Sequence, residues 1–143
     1  MFTSYAVVIE QYAERHFISS FKKKYKGAWD VTWIGMHEEF KRIDTLIGQT
    51  NIAETITEIG DVRICKTGFR VHGTQESRRS SGNRCIVAVH KNTPTVHVLL
   101  VYSKTDLGGG NETANWKSLV RENYHQYSNI KPVEGSHLNK KSN

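Results

Sequence analysis

The stretch RCIVAVHKNTPTVHVLLVYSK, residues 84–104, decides the fold of this 143-residue chain. It holds two apolar runs rich in β-branched residues, residues 84–91 and 96–104, and an Asn-Thr-Pro turn separates them. The second run is the most hydrophobic segment of the chain, which is typical of an internal strand. The sequence therefore predicts two neighbouring strands here, with residues 96–104 inside the sheet.

On the N-terminal side the periodicity changes from strand to helix. Residues 4–9 (SYAVVI) predict a short first strand. Residues 11–26 and 30–48 carry apolar side chains at helical spacing, and Asp30 is placed to cap the second of these segments. Two helices joined by so short a loop predict a helical hairpin.

The segment between this hairpin and the central strands gives a mixed signal. Residues 51–61 fit either a further helical turn or the entry to a β-hairpin. Residues 63–72 predict a strand, and residues 73–82 are polar and loop-like. We therefore expect three strands between residues 63 and 104.

The C-terminal part predicts one more helix. Three glycines at residues 108–110 break the chain, and Asn111 or Thr113 can cap a helix with one apolar face. Residues 128–143 are polar and lack periodicity, which predicts a flexible tail after a single domain of residues 1–127. The fold class expected is α+β, with a helical hairpin packed on a small, mostly antiparallel sheet and a C-terminal helix.

Composition narrows the class of protein. The chain is 37% hydrophobic and 24% charged, which is ordinary for a soluble globular protein. It has no apolar run near the ~20 residues of a membrane-spanning helix, and its first twenty residues lack a secretory signal. Cys65 and Cys85 lie on predicted strands without CxxC spacing, so we expect reduced, buried thiols in a cytoplasmic protein.

The positive charge is concentrated in the predicted sheet. Residues 63–104 contain eight Lys or Arg against the single acid Glu76, whereas the rest of the chain has twelve against thirteen acids. Such a basic sheet beside nearly neutral helices favours a polyanionic partner, nucleic acid first.

Three motifs in this segment resemble a known family. They are FRVH at residues 69–72, RSSGNR at residues 79–84, where it opens a strand, and VYSK at residues 101–104. With the topology and the basic sheet, they resemble the RelE/HigB branch of the RelE/ParE superfamily of toxins over about residues 5–125. The resemblance implies a toxin of a type II toxin–antitoxin system that acts as a ribosome-associated mRNA endonuclease and is neutralised by a cognate antitoxin protein. Members of the ParE branch instead inhibit DNA gyrase.

Metal-independent RNA cleavage needs a base, an acid and cations that stabilise the charged phosphorane. His72 titrates nearest neutral pH and is the candidate base or acid, while Arg84 is the candidate phosphate clamp. Arg70 lies two residues before His72, which on a strand places both on one face. Lys104, at the end of the predicted central strand, supplies a further cation. These four are the predicted catalytic residues.

Other cations are candidates for RNA contact. Arg78 and Arg79 lie in the predicted loop and Lys66 on a predicted strand, while Lys22 and Lys23 lie on the first helix. Each also fits a solvated surface charge. Some members of the family use a late helical tyrosine, and here Tyr124 and Tyr127 both stand near its place.

No metal or cofactor is expected. The seven histidines are scattered without HxH or HExxH spacing, and the basic segment has only one carboxylate.

Two hypotheses remain: an mRNA endonuclease toxin, or a non-catalytic binding module of the same fold, such as a gyrase inhibitor or an RNA-binding protein. The endonuclease requires Arg70, His72, Arg84 and Lys104 to converge on one open concavity.

Overall fold

A five-stranded mixed sheet organises the computed structural model, which describes residues 3–49, 52–107 and 110–130. The strand order is β1-β5-β4-β3-β2; β1 runs parallel to β5 and the other pairings are antiparallel. The predicted α+β class and mostly antiparallel sheet are therefore confirmed. The strands are β1 (Ala6–Ile9), β2 (Ala53–Ile59), β3 (Val62–Gly68), β4 (Asn83–His90) and β5 (Thr95–Ser103).

In the described part of the chain, four helices cover this sheet. Helix α1 (residues 11–25) joins α-helical Gln11–Ala13 and Ser19–Tyr25 through a π-helical segment, Glu14–Ile18. Lys26, with φ of 53°, turns the chain directly into α2. The remaining elements are α2 (Gly27–Lys41), α3 (Ile43–Gln49), α4 (Glu112–Asn123) and the 3₁₀ turns Lys104–Leu107 and His125–Tyr127.

The helical hairpin is confirmed, but its second helix differs from the prediction. Helix α2 begins at Gly27, so Asp30 lies in its first turn and does not cap it. Arg42 leaves the helical conformation, with φ of −119° and ψ of 37°, and splits the helix predicted over residues 30–48 into α2 and α3. Three lysines near the end of α1 favour the helix C-terminus there, which agrees with the predicted end of the first helix.

Both faces of the sheet are buried at its strands β4 and β5. The hairpin face packs α1, α2 and α3 on Cys85, Val87 and Val89 of β4, whereas α4 covers Ile86 and Ala88 on the other face. Residues 98–101 of β5 are 0% exposed, which confirms that this strand is internal. The alternation of β4 between two apolar layers explains its continuous hydrophobic sequence.

Helix α4 is held by a side-chain cap. The side chain of Asn111 accepts a hydrogen bond of 3.0 Å from the backbone N–H of Ala114, which identifies Asn111 as the cap. Ile130 is buried although it falls in the predicted tail; residues 131–143 of that tail lie outside the described residues.

Three further expectations can be compared with the structure. Cys65 and Cys85 are free and buried, as predicted, and burial raises the pKa of both thiols, that of Cys65 to about 11. No helix in the described ranges is long and apolar enough to cross a bilayer. Residues 53–59 settle the ambiguity of the 51–61 segment, because they form the first strand of a β-hairpin with β3.

Candidate nucleic-acid interface

The loop of residues 69–82, between β3 and β4, shapes the basic end of the sheet. The Ser81 hydroxyl lies 2.6 Å from the carbonyl oxygen of Phe69 and 2.9 Å from that of Arg78, so it ties both ends of the loop together. The backbone N–H of Lys104 donates to the carbonyl of Gly82 at 2.9 Å, which joins the loop to the end of β5. The loop is therefore a fixed part of the surface.

The side chain of Arg84 holds this loop in place through hydrogen bonds to its backbone. Its guanidinium donates to the carbonyl oxygens of Asn83 at 2.8 Å, Arg79 at 3.0 Å and Arg78 at 3.4 Å, and the residue is only 8% exposed. Gly68, opposite Arg84 in the β3–β4 register, leaves room for it: a Cβ at Gly68 would lie 3.2 Å from Arg84 Nη1. Most of the hydrogen-bonding capacity of Arg84 thus serves the backbone of the loop.

A concavity of about 480 Å³ opens beside this loop. Its lining comes from strand β2 and the residue before it, strand β3, the loop, the start of β4 and the residue after β5. Glu54 is the one acid among the described residues that line it, and we call the site the basic concavity. Its cationic side chains are those of Lys66, Arg78, Arg79, Arg84 and Lys104.

Glu112, in the first turn of α4, partly balances these charges. Its carboxylate lies 3.9 Å from the ammonium of Lys66 and 3.7 Å from that of Lys104. It also accepts a hydrogen bond of 2.7 Å from the hydroxyl of Tyr102. Burial, followed by this hydrogen bond to Glu112, raises the pKa of Tyr102 far above its ordinary range. Tyr102 therefore stays protonated and keeps Glu112 beside the two lysines.

A second concavity, of about 380 Å³, lies between the loop and helix α2. We call it the loop–helix cleft; Met36, Phe69, Arg70 and His72 are among its lining residues. The backbone N–H of His72 donates to Thr32 Oγ1 at 2.8 Å, which anchors the loop on α2. The side chains of Arg70 and His72 are exposed.

The four predicted catalytic residues do not share one site. Arg84 and Lys104 line the basic concavity, whereas Arg70 and His72 line the loop–helix cleft. The cause is the end of β3 at Gly68, which is earlier than the predicted end at His72. Residues 69–72 therefore belong to the loop, where two-residue spacing does not place side chains on one face of a strand. The convergence expected of the endonuclease is not met.

The predicted RNA-binding cations separate into two groups. Lys66, Arg78 and Arg79 all line the basic concavity. Lys22 and Lys23 are exposed on α1 and line neither concavity, and Lys22 lies 3.1 Å from Glu14 in an ion pair.

The two late tyrosines are parts of the core. The hydroxyl of Tyr124 donates to the carbonyl oxygen of Leu99 at 2.7 Å. The hydroxyl of Tyr127 lies 2.7 Å from Nε2 of His90. Both tyrosines are buried against β5 and α4, away from the basic concavity.

Sequence reasoning missed the acidic side of the site. Glu112 and Glu39 were not singled out, because neither belongs to a recognisable motif. One signal was present for Glu112: it directly follows the capping residue Asn111, and acids are common in a first helical turn. Its approach to Lys66 and Lys104 depends on how α4 crosses the sheet, which is a tertiary property.

No protein-family model, no curated protein and no solved structure matches this chain. Among the described residues, no group of three or more His, Cys, Asp or Glu side chains is arranged to hold a metal ion. The function is therefore inferred from the geometry of the two concavities.

Proposed function

We propose that this chain is an RNA-binding protein and that the basic concavity holds the sugar–phosphate backbone. The observation that carries the proposal is the convergence of five cations, from β3, the loop, β4 and the residue after β5, on one open surface. Phosphate contacts by Lys and Arg supply most of the affinity of such surfaces. Single-stranded RNA fits a concavity of this kind because its backbone can follow a curved groove.

The basic concavity favours an anionic ligand even when the carboxylates next to its cations are taken into account. Three carboxylates, those of Glu39, Glu54 and Glu112, stand beside the five cations, so the site keeps a positive balance. Lys104 has a half-exposed side chain, and Arg79 is exposed. Both side chains reach the open surface, and we assign them the direct contacts with phosphate, for which Lys104 would exchange its 3.7 Å ion pair with Glu112.

Arg84 has a different role in this proposal. Its guanidinium is buried and bonded to three carbonyl oxygens of the loop, so it positions Arg78 and Arg79 at the rim. The guanidinium still contributes positive potential to the concavity. We therefore call Arg84 a positioning residue and not a phosphate clamp.

The test is binding of short single-stranded RNA, measured by fluorescence anisotropy over a range of KCl concentrations. We expect Lys104→Ala and Arg79→Ala each to weaken binding several-fold and to reduce the salt slope by about 0.7 per lost phosphate contact. Lys91→Ala is the matched control, because Lys91 is exposed in the β4–β5 turn at the other end of the sheet. Equal effects of all three variants would contradict the proposal.

The mRNA endonuclease is the second candidate function. It rests on the RelE/HigB resemblance of the sequence motifs, and the order of elements, a strand and a helical hairpin before four antiparallel strands, supports the α+β part of that expectation. The separation of His72 from Lys104 argues against the acid–base pair expected from the sequence. Expression in growing cells, followed by mapping of mRNA 5′ ends, tests this candidate: growth arrest with new 5′ ends within translated codons supports cleavage on the ribosome, and unchanged mRNA opposes it.

A cognate antitoxin is the partner implied by this toxin hypothesis. On α2, Val31 and Ile34 are 48% and 65% exposed, and Val31 lines the loop–helix cleft together with Arg70 and His72. Apolar side chains beside cations fit an acidic amphipathic segment of a partner protein. We expect Ile34→Asp to prevent co-purification with the product of the neighbouring gene, while Val8→Asp, on β1, should not.

A further inference from the structure

A third cavity, of about 240 Å³, lies on the hairpin face of the same end of the sheet. Asn83 and Ser103 line it, whereas the residue after each of them, Arg84 or Lys104, lines the basic concavity. Because successive side chains of a strand point to opposite faces, Asn83 and Arg84 serve sites on the two sides of one sheet layer. We call this third cavity the polar pocket.

Asn83 has an unused amide in this pocket. The residue is only 7% exposed, and its backbone is engaged: its N–H donates to Ser81 Oγ at 3.1 Å and its carbonyl accepts from Arg84 at 2.8 Å. Its carboxamide makes no hydrogen bond to any residue in the described part of the chain, yet its polar atoms are not sealed from solvent. An amide that reaches solvent and has no hydrogen-bond partner among the described residues is available for a ligand.

The walls of the polar pocket define the ligand further. Phe21 and Tyr25 form an aromatic side, with stacked rings whose centroids are 6.1 Å apart. The ammonium of Lys24 lies 5.2 Å from the centroid of the Tyr25 ring and belongs to an exposed side chain. Because two carboxylates, Glu76 and Asp106, offset this lysine, the pocket does not favour phosphate. It favours an uncharged planar group with hydrogen bonds along one edge.

We infer that the polar pocket is a nucleobase subsite, which gives the proposed RNA binding a base preference. The inference rests on the proposed function, because the base belongs to an RNA whose backbone lies in the basic concavity. The Asn83 carboxamide offers one donor and one acceptor side by side, the pair that recognises adenine best. Tyr25 supplies a ring against which the base stacks, and a base entering the pocket displaces the exposed Lys24 from this ring.

The first test compares short homopolymers of adenine, cytosine and uracil of equal length by fluorescence anisotropy. We expect the protein to prefer the adenine homopolymer by about tenfold. Asn83→Ala should abolish this preference and leave the common, salt-dependent affinity in place. Asn92→Ala, the same substitution in the exposed β4–β5 turn, should keep the preference. Retention of the preference by folded Asn83→Ala would overturn the inference.

The second test does not depend on the basic concavity. The ¹⁵N-labelled protein is titrated with adenosine, which carries no phosphate, and the side-chain amide resonances of Asn83 are followed. We expect them to shift in the wild type and the shift to weaken in Tyr25→Leu, which keeps an apolar side chain at the wall. Absence of any shift overturns the nucleobase subsite even when RNA binds. A shift without RNA binding retains the subsite and contradicts the proposed function instead.

Discussion

Arg78 and Glu39 join the loop to helix α2: Nη2 of Arg78 lies 2.6 Å from Oε1 and 2.7 Å from Oε2 of Glu39. Arg78 lines both the basic concavity and the loop–helix cleft, and Glu39 lines the cleft. The pair therefore forms the wall between the two sites. It also neutralises one of the five cations of the basic concavity.

Glu39→Gln should release Arg78 for RNA. We expect tighter RNA binding by a few-fold and a loss of about 1 kcal/mol in the free energy of unfolding, since this partly buried ion pair is short and screened only in part. Glu38→Gln, on the same helix but in an exposed pair with Lys41, is the control. Anisotropy and urea denaturation measure the two effects; unchanged binding and stability would show that the pair neither masks a cation nor holds the loop.

Arg84→Ala should destabilise the protein by about 2–3 kcal/mol, because it removes three hydrogen bonds made by a buried charged group. The phosphate clamp expected from the sequence would instead turn its guanidinium toward the ligand, and its loss would change the stability little. Arg79→Ala is the matched control, because Arg79 is exposed and should lose RNA affinity without losing stability. Equal unfolding midpoints for wild type and Arg84→Ala would refute the positioning role.

Gly68→Ala should displace the loop. The new Cβ would lie 3.1 Å from the carbonyl oxygen of Arg78 and 3.2 Å from Nη1 of Arg84, so one of them must move. We expect a loss of about 1–2 kcal/mol of stability and weaker RNA binding. Gly35→Ala, where nothing lies within 4 Å, should instead stabilise α2 by about 0.5–1 kcal/mol. Thermal denaturation of both variants checks this contrast in sign.

The free energy of unfolding should fall on acidification in a way that depends on His90. Burial lowers the pKa of His90, and the nearby His97 lowers it further, so the folded state binds a proton at this ring less readily than the unfolded state. Its contribution is present above pH ~6.5 and is lost as the pH falls through the lowered pKa of the folded state.

Urea denaturation at pH 7.5 and 5.5 measures this loss. His90→Gln should show a smaller loss than the wild type, and His125→Gln, at an exposed histidine, should show the full loss. Identical pH profiles for all three proteins would remove His90 as the cause. Tyr127, whose hydroxyl lies 2.7 Å from His90 Nε2, should be retained in every variant because it packs in the core.

The sheet could be predicted because its signal is local. Residues 85–89 and 98–101 are apolar without interruption, and strands buried on both faces require this composition. The break between α2 and α3 could not be predicted, because Arg42 carries no helix-breaking side chain and the neighbouring carbonyl of Lys41 accepts a hydrogen bond of 3.0 Å from the distant N–H of Tyr5. The propensity of one residue is weaker than such tertiary contacts.

The sequence identified the cationic residues of the candidate site, but it did not predict which of them lie together in one concavity. Lys66 and Lys104 come together across strands β3, β4 and β5, so their proximity depends on register. Arg70 and His72 were placed on a strand because two-residue spacing fits a strand, yet β3 had already ended. A strand ends where its hydrogen-bonded pairing with the neighbouring strand ends. The β-propensity of its residues does not contain that information.

The parallel pairing of β1 with β5 has a consequence for synthesis. Ala6 is paired with Thr95, so the first strand to leave the ribosome has no neighbour until nearly all of the sheet has been translated. Pairings this distant along the chain form late in folding. Lys104 lies just beyond β5, so the surface proposed to bind RNA is complete only when that strand has emerged. Until β5 has emerged from the ribosome, the nascent chain therefore lacks the complete surface that we propose binds RNA, and it should not bind its own mRNA through that surface.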